Sequence, residues 1–141
     1  MIKQLNFEEY IKKRYNPQIK WYDHRAKKYK VFASLLQISI IAFAAIVPIL
    51  ASLSYKWPTI ILSALVAIMT GTLKYTKIEE LWHNYRTICE TLKKEKHYFD
   101  FRIGVYANVP YPKKLFVEKI ESFISKENTV WLSVIKKKEK K

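Results

Sequence analysis

The sequence predicts an all-α membrane protein: a two-transmembrane helical hairpin whose long helices extend into a cytoplasmic helical bundle. Three observations predict it. The stretch VFASLLQISIIAFAAIVPILASL, Val31 to Leu53, has no charged residue in 23 positions. A helix of that length rises about 34 Å, enough for a bilayer core of about 30 Å. A second apolar arm, WPTIILSALVAIMTGTL, Trp57 to Leu73, has 17 residues and is separated from the first by only Ser54-Tyr55-Lys56. The third observation is charge: nine Lys or Arg precede Val31, Lys56 alone lies in the connection, and sixteen follow from Lys74 onward. Soluble core helices seldom stay uncharged beyond about 14 residues, which disfavours a buried soluble hairpin.

The expected organisation follows the composition. Residues 1–30 are N-terminal cytoplasmic helices, 31–53 the first transmembrane helix and 54–56 an external turn. Residues 57–73 are the second transmembrane helix, and 74–141 a cytoplasmic helical region with a basic tail. The positive-inside rule puts both termini in the cytoplasm, in a multi-pass protein of the cell inner (plasma) membrane. A net charge of +14 on 141 residues would suggest nucleic acid in a soluble protein. Here anionic lipid headgroups are the simpler partner, and no nucleic acid is expected. Thirty polar residues precede the apolar run, so no cleavable signal peptide is expected. The single cysteine, Cys89, excludes an intrachain disulfide.

Taken in order, Asn6 is a possible cap for a first helix, with Phe7, Tyr10, Ile11 and Arg14 at helical spacing. Asn16-Pro17 is expected to break that helix and start the next. From Pro17 nothing stops a helix until the loop near Ser54, which predicts one helix of about 37 residues. Trp21, Tyr22 and Tyr29 are expected at headgroup level, with Lys27, Lys28 and Lys30 snorkelling. Pro48 should kink the span.

Along that first span Ser34, Gln37, Ile41, Ala45, Pro48 and Ser52 share one arc. Gln37 is its only strong polar group, either a pore position or an interhelical hydrogen-bonding one. On the second span Ser63, Ala67 and Gly71 form a small-residue seam that allows close helix approach. Thr59, Ser63, Thr70 and Lys74 make a sparse polar stripe beside it.

No Pro or Gly lies between Gly71 and Gly104, so the second helix is expected to continue to about Phe101. Its cytoplasmic half carries an apolar face of Ile78, Leu81/Trp82, Tyr85, Ile88/Cys89, Leu92 and Phe99, which needs a partner. Gly104 to Pro112 reads as a loop, with Gly for the helix end. A last helix from about Lys113 offers Phe116, Ile120, Phe123/Ile124 and Trp131 to cover that face. The terminal KKKEKK is expected to be disordered and to touch anionic lipid.

WHNYRTICETLKKEKHYF, Trp82 to Phe99, resembles the signature after the second span in SLATT-domain proteins. These are two-transmembrane effectors associated with SMODS nucleotidyltransferases and SLOG sensor domains. The family pattern is approximately W-x-x-Y-R-x-T-C-E-x-L-K-x-E-K, matched by Trp82, Tyr85, Arg86, Cys89, Glu90, Leu92, Lys93, Glu95 and Lys96. The chain departs from it at Thr87-Ile88. The Trp21-Tyr22…Ala26…Tyr29 segment, Pro48 and Leu115 to Ser133 are similar to the family in the same order. The resemblance implies a membrane-perturbing or pore-forming effector of bacterial conflict systems, with no assigned catalytic residues; many members are simply uncharacterised.

The motif also has a plain physical reading. Arg86, Glu90, Lys93 and Glu95 can form a surface ion-pair ladder, at about 0.2–0.5 kcal/mol per pair. So little helix stabilisation favours a contact between subunits through Trp82, Tyr85, Arg86 and Glu90, beside the Ser63, Ala67 and Gly71 seam.

Enzymatic chemistry finds little support. Glu80-x-x-His83 has metal-ligand spacing but occurs once, and such sites need further carboxylates. His83 and His97 lie about 21 Å apart along a helix, and His24 stands alone. Cys89 has apolar neighbours, as a buried inert thiol would. Two glycines 33 residues apart cannot make a phosphate loop. No catalytic residue, metal or cofactor is therefore expected.

Two functional classes remain. The first is a homo-oligomeric ion channel or membrane-permeabilising effector, with ions as permeant species. Its candidate pore-lining residues are Ser34, Gln37, Ile41, Thr59, Ser63, Thr70 and Lys74. The second is a non-conducting, membrane-anchored interaction or scaffold module that works through its cytoplasmic helices.

Overall fold

The computed structural model describes residues 6 to 139 and is all-α among them. Helix α1 (Phe7–Tyr10) passes through a π-helical turn (Ile11–Tyr15) into α2 (Asn16–Ser52). Then come α3 (Lys56–Thr76), α4 (Ile78–Asp100), a 3-10 turn (Gly104–Tyr106) and α5 (Pro112–Glu139). Two compact units result. One comprises the described residues up to Tyr22 and from Thr87 on; the other is Asp23–Arg86.

The N-terminal helix corrects one expectation. Asn16-Pro17 does not break the chain, because Asn16 is itself helical (φ −62°, ψ −44°) and donates its N–H to the carbonyl of Ile11, five residues back. Proline lacks an N–H and crowds the carbonyl four residues earlier, and a wider π turn absorbs that defect without ending the helix. Asn6 stands at the cap position, but its side chain makes no capping bond; only its carbonyl accepts, from the N–H of Tyr10 at 3.0 Å.

The 37-residue length of α2 is the expected one. It continues through Pro48 and ends in a Schellman motif. Ser54 takes the left-handed conformation (φ 62°), and the Tyr55 N–H reaches the Leu50 carbonyl at 3.1 Å.

The second long helix is interrupted, against expectation. Lys77 is left-handed (φ 50°, ψ 35°), closing α3 at Thr76, and its carbonyl accepts the Leu81 N–H at 3.1 Å to begin α4. Thr70, Gly71, Thr72 and Thr76 are weak helix formers. Glu79 and Glu80 then favour a new helix start, where their charge meets the positive end of the dipole. At its other end α4 stops with Arg102 left-handed (φ 51°) and the Ile103 N–H on the Tyr98 carbonyl. The helix end therefore falls on Arg102, not Gly104; Gly104 (φ 61°) instead turns the chain into the 3-10 segment.

In the first unit the core is aromatic. Tyr15, Tyr22, Cys89, Leu92, Tyr106, Phe116, Ile120 and Ile124 are buried. Phe99 lies 4.8 Å from Phe116 and 5.1 Å from Phe7 between ring centroids. The apolar face expected on α5 is the covered one, and so is that on α4. The side chain of Trp131 lies outside the described residues. The basic tail departs from expectation in part, since α5 runs on to Glu139; Lys140 and Lys141 lie outside the described residues.

In the second unit α2 and α3 cover one stripe each. Ala33, Leu36, Ile40, Phe43, Val47 and Leu50 are buried or half-buried on α2, as are Thr59, Leu62, Val66, Met69 and Leu73 on α3. Both stripes step by three and four residues, the spacing of interlocking antiparallel helices. The rest of the hairpin is bare. Of the most apolar 18-residue window in each long helix, only 6% is buried.

Candidate functional site

Along the hairpin, the expected pore-lining residues face away from the stripe that α2 and α3 cover. Ser34, Gln37 and Ile41 are exposed on α2, as are Ser63, Thr70 and Lys74 on α3, while Thr59 is half-buried. At about 100° per residue the polar stripe sits about a third of a turn from the covered one on α2, but only about a fifth of a turn away on α3, where Thr59 belongs to both. A single chain does not bring them together. Several copies would be needed to enclose a path between them.

Most hydroxyls along the hairpin are already occupied. Thr59, Ser63 and Thr70 donate to carbonyls four residues back, at 2.6, 2.7 and 2.8 Å. Ser39, Thr72 and Thr76 do the same. Gln37 and Ser34 differ, since no hydrogen-bond partner reaches either side chain among the described residues. Lys74 is exposed, and Lys77 lies 3.4 Å from Glu80. Ser63, Ala67 and Gly71 are all exposed, and a Cβ added at Gly71 would meet no neighbouring atom within 4 Å.

The motif after the second span is occupied within the chain. Tyr85 stacks on Tyr29 (5.8 Å, 10° between planes), and Arg86 lies 3.5 Å from Asp23, which also holds Lys27 at 2.7 Å. Trp82 stacks on His83, with the Lys30 ammonium 5.6 Å above its ring. Glu90 is exposed, 3.7 Å from Lys93. Three of the four motif residues expected between subunits thus have contacts to α2 of their own chain. The Cys89 thiol is buried, 3.9 Å from the Ile19 carbonyl.

Sequence reasoning missed the polar fittings of the first unit. Glu95, expected on a surface ladder, is buried, and its Oε1 accepts both the Tyr106 hydroxyl at 2.5 Å and the Lys119 ammonium at 2.9 Å. Tyr22, expected at headgroup level, is fully buried and donates to Glu127 at 2.7 Å. Tyr15 donates to the Leu92 carbonyl at 2.8 Å. Arg14 spreads two nitrogens over the Glu121 carboxylate at 3.1 Å each, and Tyr10 donates to the same group at 2.9 Å. The seven-residue spacing of Tyr15 and Tyr22 was the available signal, marking one helix face.

These bonds shift protonation in consistent directions. Arg14 holds the Glu121 carboxyl below its usual value of 4.5, with help from Tyr10. Burial pushes the Tyr10, Tyr15 and Tyr106 phenols up, and the carboxylates facing Tyr10 and Tyr106 push the same way. The unit is braced by phenols donating hydrogen bonds, from Tyr10, Tyr22 and Tyr106 to carboxylates and from Tyr15 to a backbone carbonyl. Among the described residues, no three His, Cys, Asp or Glu side chains gather as a metal site requires.

Fold and surface define an all-α protein with a helical hairpin long and apolar enough to cross a membrane. The chain belongs to the DUF4231 family, proteins of unknown function, whose model matches residues 17–114. That match covers the hairpin, all of α4 and the start of α5. No curated protein and no solved structure matches the chain.

Proposed function

We propose that this chain is an oligomeric integral membrane protein of the SLATT type, acting as an ion channel or membrane-permeabilising effector of bacterial conflict. The observation that carries the membrane half is the bareness of the hairpin. Val31, Phe32, Leu35, Ile38, Ile41, Ile61 and Ile68 are exposed on helices that are nearly unburied along their apolar length. A soluble monomer rarely shows contiguous apolar patches beyond about 300–600 Å². Lipid, with copies of the same chain, accounts for that surface. Both flanks then lie on one side, and their Lys and Arg excess puts them in the cytoplasm of a cell whose inner (plasma) membrane holds the hairpin.

The conducting half rests on Gln37. An unpartnered amide on a lipid-facing helix is costly, so it faces protein or water in the assembled state. Copies meeting at the Ser63, Ala67 and Gly71 seam can bring several such amides around one axis. No Asp or Glu lies between Val31 and Thr76, so no acidic ring selects cations.

The internal bonding of the Thr59, Ser63 and Thr70 hydroxyls favours a second reading, a non-conducting anchor for a scaffold that works through its cytoplasmic helices. Liposomes containing only this protein, loaded with a halide- or potassium-sensitive dye, separate the two. Flux that scales with protein and falls in Gln37→Leu supports the channel; intact liposomes around a correctly assembled oligomer support the anchor.

A further inference from the structure

The connection from α4 to α5 shows an unusual surface. Phe101 and Tyr111 are 74% and 73% exposed, and Ile103 and Val105 about half exposed. Four large apolar side chains on one short connection are more than scattered surface hydrophobicity explains. The connection is also held. Tyr106 plugs into the core with its hydroxyl on Glu95, whose carboxylate Lys119 secures, and its ring meets Phe99 at 5.7 Å. Such fixing lowers the ordering cost of binding.

The connection itself carries charge of one sign. Arg102, Lys113 and Lys114 fall between Asp100 and Glu118, and no acid does. Asp100 is itself held by Lys96, and Lys114 lies 3.9 Å from Glu118. Lysines in the first turn of α5 oppose the positive end of its dipole, which leaves local positive potential that Glu118 offsets only at Lys114. Beside them an open groove of about 820 Å³ runs between the start of α1 and the start of α5. Phe7 and Val117 give it apolar walls, Lys113 and Lys114 a basic edge, and Glu118 the one acid among its lining residues. Phe7 rests on Phe99, the ring that Tyr106 also touches, so groove and connection share one aromatic base.

We propose that the Phe101–Tyr111 connection and this groove form a docking surface for an acidic, apolar-bearing segment of a second protein. Three considerations select that occupant. A second copy docked patch to patch would set Arg102, Lys113 and Lys114 against their own kind, which is repulsive. A bilayer surface would satisfy the charges but leave the groove empty. A segment with carboxylates around aromatic or aliphatic anchors fills both.

The test uses the full chain in phosphatidylcholine nanodiscs and a fluorescein-labelled amphipathic peptide of glutamate and leucine, read by anisotropy. Its comparison peptide has alanine for every leucine. Binding of the leucine peptide should be at least about tenfold tighter, and Phe101→Ser with Tyr111→Ser should weaken it about tenfold at unchanged net charge. Lys113→Glu with Lys114→Glu should weaken it comparably, while Lys20→Glu, an exposed charge elsewhere, should have little effect. Helix content and elution volume of each variant confirm that it folds. Equal binding of both peptides, or indifference to the Phe101 and Tyr111 replacements, overturns the proposal. So does a dependence on these residues seen only with phosphatidylglycerol vesicles, or only in self-association.

Discussion

The Tyr106 hydroxyl donates a 2.5 Å hydrogen bond to the carboxylate of Glu95, a charged group that is 7% exposed. With Lys119 on the same oxygen, the pair ties the 3-10 turn, α4 and α5 into one fitting. Tyr106→Phe removes the donor and leaves a buried carboxylate with less satisfaction. The expected cost is about 1–3 kcal/mol. Thermal unfolding of the detergent-solubilised protein should show a lower midpoint, with helix content unchanged beforehand. A midpoint equal to the wild type would mean that water replaces the phenol.

The Glu121 cluster contributes to the acid limb of stability. Its folded carboxyl titrates below the ordinary 4.5, chiefly because Arg14 is bonded to it. A depressed folded value contributes stability that is present above the unfolded value and is lost as pH falls through the folded one. Midpoints should therefore drop below about pH 4.5, and Glu121→Gln should flatten that drop. The raised phenols act oppositely: Tyr10, Tyr15 and Tyr106 stabilise the fold below their ordinary value of 10, and that contribution fades as pH climbs past it. Melting curves from pH 3 to 11 check both limbs.

The Arg86–Asp23 pair should matter little to stability despite its place in the motif. Both side chains are partly exposed, at 49% and 25%, and 3.5 Å is not a tight contact. A double-mutant cycle with Arg86→Ala and Asp23→Ala should give a coupling of at most about 1 kcal/mol. A much larger value would mark the pair as a structural lock between α2 and α4.

Much of this fold was legible in the sequence. The length of α2 followed from an unbroken run between Pro17 and Ser54, and the buried faces of α4 and α5 from apolar residues three and four apart. The errors have physical causes. Pro17 looked like a helix start because a π turn leaves no sequence signature. Lys77 ended a helix without Gly or Pro, since weak formers before it and Glu79-Glu80 after it do the same work. Glu95 looked solvated because burial of a carboxylate depends on Tyr106 and Lys119, 11 and 24 residues away. Tyr22 looked interfacial because aromatic rings suit both headgroups and cores. The backbone bonding of the Thr59, Ser63 and Thr70 hydroxyls needs geometry to be seen.

Topology has its own test. Cys89 is buried, so a thiol reagent should label it slowly in the folded protein and quickly after denaturation. A cysteine at Ser54, on the exposed turn, should react with an impermeant reagent applied outside intact cells. Labelling of Cys89 alone from outside would reverse the proposed orientation.

Assembly is expected to depend on Gly71. A Cβ placed there meets no neighbouring atom within 4 Å and the position is exposed, so Gly71→Leu should leave the hairpin intact. Between copies it would hold backbones apart. Crosslinking and light scattering in nanodiscs should show a homo-oligomer for the wild type and smaller species for the variant. A wild type that stays monomeric at every concentration contradicts the proposed assembly.

Conduction itself is tested most directly by reversal potential in planar bilayers under a salt gradient, with wild type, Gln37→Leu and Lys74→Glu compared. The proposed pore has no acidic ring and carries Lys74 at its cytoplasmic mouth, which raises local anion concentration. Weakly anion-preferring or unselective conductance is expected, reduced in Gln37→Leu and shifted toward cations in Lys74→Glu. Absence of conductance from a correctly assembled oligomer would contradict the channel reading, and a strong cation preference untouched by Lys74→Glu would contradict this lining of the pore.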